Sequence, residues 1–136
     1  MPSSSFRDLR VWQEAMRLTA EIYKSTANFP KHEQYGLTQQ IRRAAVSVPS
    51  NIAEGKGHHP DKEFVRFLLH ARGSPLELQT QLLIAEDLVY LSKDKTEMVG
   101  RALNGLINSM TKLLPEGLGQ RPMTNDQRRV LAFLNP

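Results

Sequence analysis

Apolar residues recur at helical spacing through most of the chain, and this pattern predicts four helices and no strands. The predicted helices span residues 6–26, about 33–55, 61–91 and about 94–114, and Asp94, with Glu97 three residues later, is the expected cap of the fourth. Along the fourth, apolar residues alternate at steps of four and three, which is the seam of antiparallel bundle packing. The sequence therefore predicts an all-α fold, an antiparallel up-down four-helix bundle with long, kinked helices.

The third segment carries two apolar faces where a helix at the edge of a bundle needs one. Polar residues separate the faces: Arg72, Gln79 and Glu86. The first face holds the expected core positions: Phe64, Phe67, Leu68, Ala71, Leu78, Leu82, Ala85 and Val89. The second face predicts an interface with another copy of the chain, made by Val65, Leu69, Leu76, Leu83 and Tyr90.

Prolines interrupt two of the predicted helices. Pro49 has no N–H to donate to the carbonyl of Ala45, so a kink is expected there. In the third segment Ser74-Pro75-Leu76-Glu77 has the form of a capping box, which could start a new helix. The apolar residues of the first face nevertheless keep the same helical spacing across this break, from Ala71 to Leu78, which favours one long, kinked helix. The predicted domain division is a bundle over residues 1–115 and an appendage over 116–136, which can contain a short docked helix.

The composition of the 136-residue chain suits one domain, with 40% apolar residues and no cysteine. No apolar run is long enough to span a membrane, and the first residues lack the order of a signal peptide. We therefore expect a cytoplasmic protein without disulfides or thiolate metal sites. No acid/base motif, nucleophile elbow or phosphate-binding loop is present, and the histidines have no standard metal-ligand spacing. The sequence predicts no enzymatic activity, metal or cofactor.

The whole chain has a net charge of +4 and a pI of about 9.6, and its positive charge is concentrated in one segment. Residues 31–72 hold seven Lys or Arg and four Asp or Glu, whereas residues 73–91 hold three acids and no base. Such cations can contact nucleic-acid phosphates. The alternative is an ordinary polar surface, with Glu54 as an ion-pair partner for an arginine. The candidate phosphate-binding residues are Arg42, Arg43, Lys56, Lys62, Arg66 and Arg72.

Several short motifs occur in a characteristic order. They are FRDL at 6–9, VWQ at 11–13, YGL at 35–37, QIRRAA at 40–45, SVPSNIAEG at 47–55 and RFL at 66–68. In this order they resemble the four-helix-bundle proteins encoded within intervening sequences of bacterial large-subunit ribosomal RNA genes, to which accessory proteins of diversity-generating retroelements are similar. The resemblance covers about residues 6–114.

The resemblance implies a bundle that assembles into a ring, commonly a homopentamer, with no known enzymatic activity. It also implies partners of two kinds, RNA or DNA and a protein such as a reverse transcriptase. Our hypothesis is a non-catalytic homo-oligomer that associates with nucleic acid through phosphate contacts. The alternative is a protein–protein adaptor or scaffold ring that binds no nucleic acid.

Overall fold

The computed structural model describes residues 5–57 and 73–113, and within these ranges helices are the only regular secondary structure. Four α-helices follow one another: α1 (Arg10–Thr26), α2 (Leu37–Gly57), α3 (Gly73–Asp87) and α4 (Lys93–Lys112). Two 3-10 helices, Phe6–Asp8 and Lys31–Glu33, precede α1 and α2. The all-α class and the four helices are confirmed. Residues 61–72 and the appendage over 116–136 lie outside the described residues.

Each α-helix packs against the next, and α4 returns to pack against α1. The contacts show that neighbours run in opposite directions. Arg42 at the start of α2 bonds to Thr26 at the end of α1, while the Ala45 carbonyl further along meets Thr19. Lys95 at the start of α4 pairs with Glu21 late in α1, at 2.8 Å between Nζ and Oε1, and this bond lowers the pKa of Glu21. An up-down bundle follows.

The core lies between the four helices and is made of the predicted apolar stripes. Of the predicted α4 seam, Val99, Leu103, Leu106 and Met110 are buried, whereas Leu113 follows the helix end and is 45% exposed. In α3, Leu78, Leu82 and Ala85 are buried opposite this seam. Burying one such side chain contributes about 1.5–3 kcal/mol. Ile22 of α1 and Ile41, Val48 and Ile52 of α2 complete this core.

Helix α2 continues through Pro49 to Gly57 without a break. The Ala45 carbonyl, which Pro49 deprives of its helical donor, has a replacement on α1. The hydroxyl of Thr19 lies 3.2 Å from this oxygen, and 2.8 Å from the carbonyl of Ala15 in its own helix. A side chain from the neighbouring helix therefore stabilises α2 at the point where its own ladder is interrupted.

The end of α3 differs from the prediction. The helix stops at Asp87 in a Schellman motif, in which the N–H of Tyr90 bonds to the Ala85 carbonyl and that of Val89 to the Glu86 carbonyl. Val89 occupies the left-handed position, with φ 63°, and its side chain is 86% exposed. Its assignment to the core face was wrong, because this position usually carries glycine and no glycine marks the helix end in the sequence.

Gln79 and Glu86 do not form a solvated strip between two apolar faces. Gln79 is fully buried, and its amide donates to Asn104 of α4 at 3.0 Å. One carboxylate oxygen of Glu86 is also buried. Because α4 covers this side of α3, the polar divider predicted from the sequence lies partly inside the bundle.

The start of α4 also differs from the predicted cap. Ser92, and not Asp94, is the N-cap, and its hydroxyl oxygen accepts from the Lys95 N–H at 3.2 Å. Asp94 lies in the first turn, where a negative charge is favourable.

Candidate nucleic-acid interface

An open groove runs along the N-terminal half of α2, beside the end of α1. It has a volume of about 530 Å³, and none of its described lining residues is acidic. We call it the arginine groove. It is lined by Tyr23, Gln34, Tyr35, Thr38, Gln39, Arg42, Arg43, Val46 and Ser47.

Arg42 is fixed in this groove by contacts to α1. Its Nε donates to the Thr26 hydroxyl at 2.9 Å, and its Nη2 lies 3.4 Å from the Tyr23 carbonyl. The guanidinium carbon is 4.6 Å from the centroid of the Tyr23 ring, which is a cation–π distance. Arg42 therefore holds the end of α1 against α2 and presents an oriented positive charge to the groove.

Arg43 is exposed beside Arg42. Within residues 5–57 and 73–113 it forms no hydrogen bond or ion pair, so Glu54 is not its partner. An exposed guanidinium with five donors and no acceptor of its own is suited to a phosphate group. Of the two adjacent arginines, Arg43 is the one whose donors are available.

The other predicted cations do not converge on this groove in the part of the chain that is described. Lys56 lies half-buried in the last turn of α2. It is 13 residues from Arg43, which corresponds to about 20 Å along a continuous helix. Lys62, Arg66 and Arg72 lie outside the described residues.

Two tyrosines line the groove, although the charge pattern did not identify them. The helical spacing of Tyr23 and Trp12 in α1 predicts that both lie in the core, but the Tyr23 side chain is 42% exposed while Trp12 packs against the core. Tyr35, in the turn before α2, is 83% exposed. The apolar face of α1 is broader than a bundle helix needs, and this breadth is the sequence feature that could have predicted an exposed Tyr23. Because α2 and α4 cover only one stripe of that face, residues at its margin remain on the surface.

A second groove continues from the arginine groove along the same pair of helices, and Val46 lines both. It has a volume of about 340 Å³ and is almost wholly apolar. We call it the apolar groove. Its lining residues are Trp12, Met16, Thr19, Val46, Pro49, Ser50 and Ala53.

A third exposed feature, the α3 patch, consists of Ile84, Leu88 and Val89 at the end of α3. These side chains are 44%, 48% and 86% exposed. Val89 is held there in a backbone conformation that costs a β-branched residue about 1–3 kcal/mol. This end of α3 therefore presents three apolar side chains to solvent, one of them in a strained backbone conformation.

The residues predicted to form the oligomer interface occupy different environments. Leu76 and Leu83 are half-buried on α3, and Val65 and Leu69 lie outside the described residues. Tyr90 follows the end of α3, and its ring lies 5.6 Å from that of Phe29. Partial burial of the phenol, and its hydrogen bond with Glu33, raise the pKa of Tyr90. Tyr90 thus belongs to a contact between the two turns of its own chain.

No helix in the described ranges combines the length and the apolar character needed to cross a membrane. The family model of the 23S rRNA-intervening sequence protein matches residues 7–113. No curated protein sequence matches the chain.

Proposed function

The chain belongs to the 23S rRNA-intervening sequence protein family, and we propose that it is a non-catalytic cytoplasmic protein that forms a homo-oligomeric ring and associates with RNA or DNA. The observation that carries the nucleic-acid part is the arginine groove, in which Arg42 and Arg43 are adjacent and none of the described lining residues is acidic. Arginine pairs with phosphate through two parallel hydrogen bonds, and such contacts supply sequence-independent affinity.

The two arginines have different roles in this proposal. Arg43 contacts phosphate directly. Arg42 contributes a positive electrostatic potential at the groove, because its contacts to Tyr23 and Thr26 hold the guanidinium in one orientation. We propose Lys56, Lys62, Arg66 and Arg72, the other cations predicted from the sequence, as further phosphate contacts for a polyanion longer than one phosphate.

Arg43→Gln is expected to weaken binding of a fluorescently labelled RNA about three- to tenfold at about 50 mM salt, because one charged hydrogen-bonding group is lost. The slope of log K against log salt should also become shallower by about 0.7 for a single strand or 0.9 for a duplex. Fluorescence anisotropy over a salt series measures both quantities.

The matched control is Arg101→Gln, which removes the same charge from the exposed side of α4, across the bundle from α2. It should leave the affinity and the slope almost unchanged. Equal effects of the two variants would mean that net charge alone attracts the RNA, and the arginine groove would lose its assigned role.

The ring part of the proposal rests on the apolar groove and the α3 patch. A cyclic ring of more than two subunits needs two different complementary surfaces on each copy, one for each neighbour. The chain exposes two such surfaces, a concave one between α1 and α2 and a projecting one at the end of α3. We propose that each surface binds the other on a neighbouring copy. The other interface residues predicted from the sequence extend this contact in the proposal: Val65, Leu69, Leu76 and Leu83. A pentamer is the proposed stoichiometry.

The apolar groove also supports the second candidate function, a protein–protein adaptor. An amphipathic helix of another protein, such as a reverse transcriptase, could place its apolar face against Met16 and Val46. This candidate predicts no RNA binding at about 50 mM salt, where phosphate contacts are strong. The salt series on the wild-type protein therefore separates the two functions.

A further inference from the structure

Tyr35 is the most exposed aromatic side chain described in this protein. It lies in the turn between the 3-10 helix Lys31–Glu33 and α2, and 83% of its surface is open to solvent. Tyrosine is usually found with its ring at least partly covered, because the ring is a large apolar surface. The exposed ring of Tyr35 is therefore an apolar surface at the arginine groove that a ligand could cover.

The two tyrosines of the groove differ in what their rings contact. One face of the Tyr23 ring is occupied by the Arg42 guanidinium. Across the described ranges, no ring or cation stacks on Tyr35. Tyr23 thus belongs to the wall of the groove, whereas both faces of Tyr35 remain available for stacking.

Polar groups that could recognise the edge of a base lie in the same groove. Gln34 and Gln39 each carry an amide that can donate and accept. Thr38 is 7% exposed, and in the described part of the chain its hydroxyl has no hydrogen-bond partner. That oxygen is buried beneath the surface of the groove, so the two amides carry the polar part of the argument.

We infer that the arginine groove takes an unpaired nucleotide, and that the protein prefers single-stranded nucleic acid to a duplex. This inference rests on the proposed nucleic-acid function and names its substrate class. The base stacks on Tyr35, the amides of Gln34 and Gln39 face its edge, and Arg43 contacts a flanking phosphate. A duplex keeps the faces of its bases inside the helix, so only its phosphates could reach the groove.

The groove has the size that this ligand needs. Its volume of about 530 Å³ falls within the ~300–1,000 Å³ typical of small-molecule sites. Tyr35, Gln39 and Arg43 follow one another at intervals of four residues, so Gln39 and Arg43 lie one turn, about 6 Å, apart along the same side of α2. A strand that follows this side meets the ring, the amide and the guanidinium in order.

The experiment compares a labelled uridine homopolymer, which forms no stable internal pairs, with an RNA duplex of the same length. Wild type, Tyr35→Ala, Tyr35→Phe and Arg43→Gln are titrated by fluorescence anisotropy over the same salt series. Tyr35→Phe keeps the ring and removes only the hydroxyl. Met98→Ala, which truncates an exposed apolar side chain on α4, is the control for loss of surface area.

Tyr35→Ala is expected to weaken binding of the single strand about 5- to 150-fold, the range for the loss of one base–aromatic stack. Its salt slope and its affinity for the duplex should stay the same, because no phosphate contact is removed. Tyr35→Phe and Met98→Ala should bind like wild type. Arg43→Gln should weaken both RNAs and reduce both slopes.

The inference is overturned if Tyr35→Ala binds the single strand as tightly as wild type, or if it weakens duplex and single strand equally. In either case an effect of Arg43→Gln would leave the proposed phosphate contacts standing. If wild type binds neither RNA at about 50 mM salt, the proposed function and this inference both fail.

Discussion

Val46→Glu is expected to convert the proposed homo-oligomeric ring to monomers at micromolar concentration. Val46 is exposed at the centre of the α1–α2 surface and lines both of its grooves. A carboxylate there lies within reach of Arg42 and Arg43 on the same helix, but at every contact of a ring it would lose its water. Desolvation of a charge costs several kcal/mol, and an arginine partner does not fully offset that cost. Sedimentation velocity measures the resulting mass. Because the wild-type side chain is already exposed, the monomer should keep its helical circular dichroism and melt cooperatively.

A second variant, Ile84→Glu, makes this prediction sharper. It places a carboxylate on the α3 patch and should also yield a monomer. In a head-to-tail ring each variant retains one sound surface, so an equimolar mixture should form dimers that grow no further. A mixture that stays monomeric would contradict the pairing of the apolar groove with the α3 patch. An unchanged mass for Val46→Glu alone would remove the apolar groove from the interface.

The second large effect concerns Thr19 and Pro49. Thr19→Val keeps the shape of the side chain but removes the hydroxyl that faces the Ala45 carbonyl at 3.2 Å. We expect the free energy of unfolding to fall by about 1–2 kcal/mol, because a carbonyl inside the bundle is left without a donor. Urea denaturation at a fixed protein concentration measures this change.

Pro49→Ala supplies the matched background. Alanine at this position restores the N–H that completes the α2 ladder, and it should raise the free energy of unfolding by about 1–3 kcal/mol. With that N–H present the Ala45 carbonyl no longer needs Thr19, so Thr19→Val should cost less than about 0.5 kcal/mol there. Equal costs in the two backgrounds would show that the hydroxyl serves only the Ala15 carbonyl of its own helix.

The bundle could be predicted from the sequence because its helices carry strong, regular stripes. The seam of α4 is buried up to Met110 as the spacing indicates. The same is true of the core positions of α3: Leu78, Leu82 and Ala85. The helix ends were harder to place, since local chemistry determines them. Val89 stands where glycine is usual, and Ser92 caps α4 two residues before the predicted Asp94.

The candidate site was only partly predictable. The Arg42-Arg43 pair is conspicuous in the sequence, yet nothing in it shows that Arg42 bonds to Thr26 while Arg43 remains exposed. Tyr23 has helical spacing that suits a core residue, and only the packing of α2 against α1 leaves it at the surface. The burial of Gln79 likewise depends on Asn104, 25 residues away. Whether these side chains are buried or exposed depends on contacts between helices, and the periodic pattern within one helix carries no information about such contacts.

The most direct test of the account is to map where nucleic acid touches the protein. A single-stranded RNA containing the photoreactive base 4-thiouridine is irradiated with the wild-type protein, and mass spectrometry identifies the cross-linked residues. Cross-links are expected at Tyr35 and at its neighbours along the arginine groove, and they should be lost when salt is raised before irradiation. Cross-links confined to other surfaces, or none above the level of an unrelated basic protein, would contradict the account.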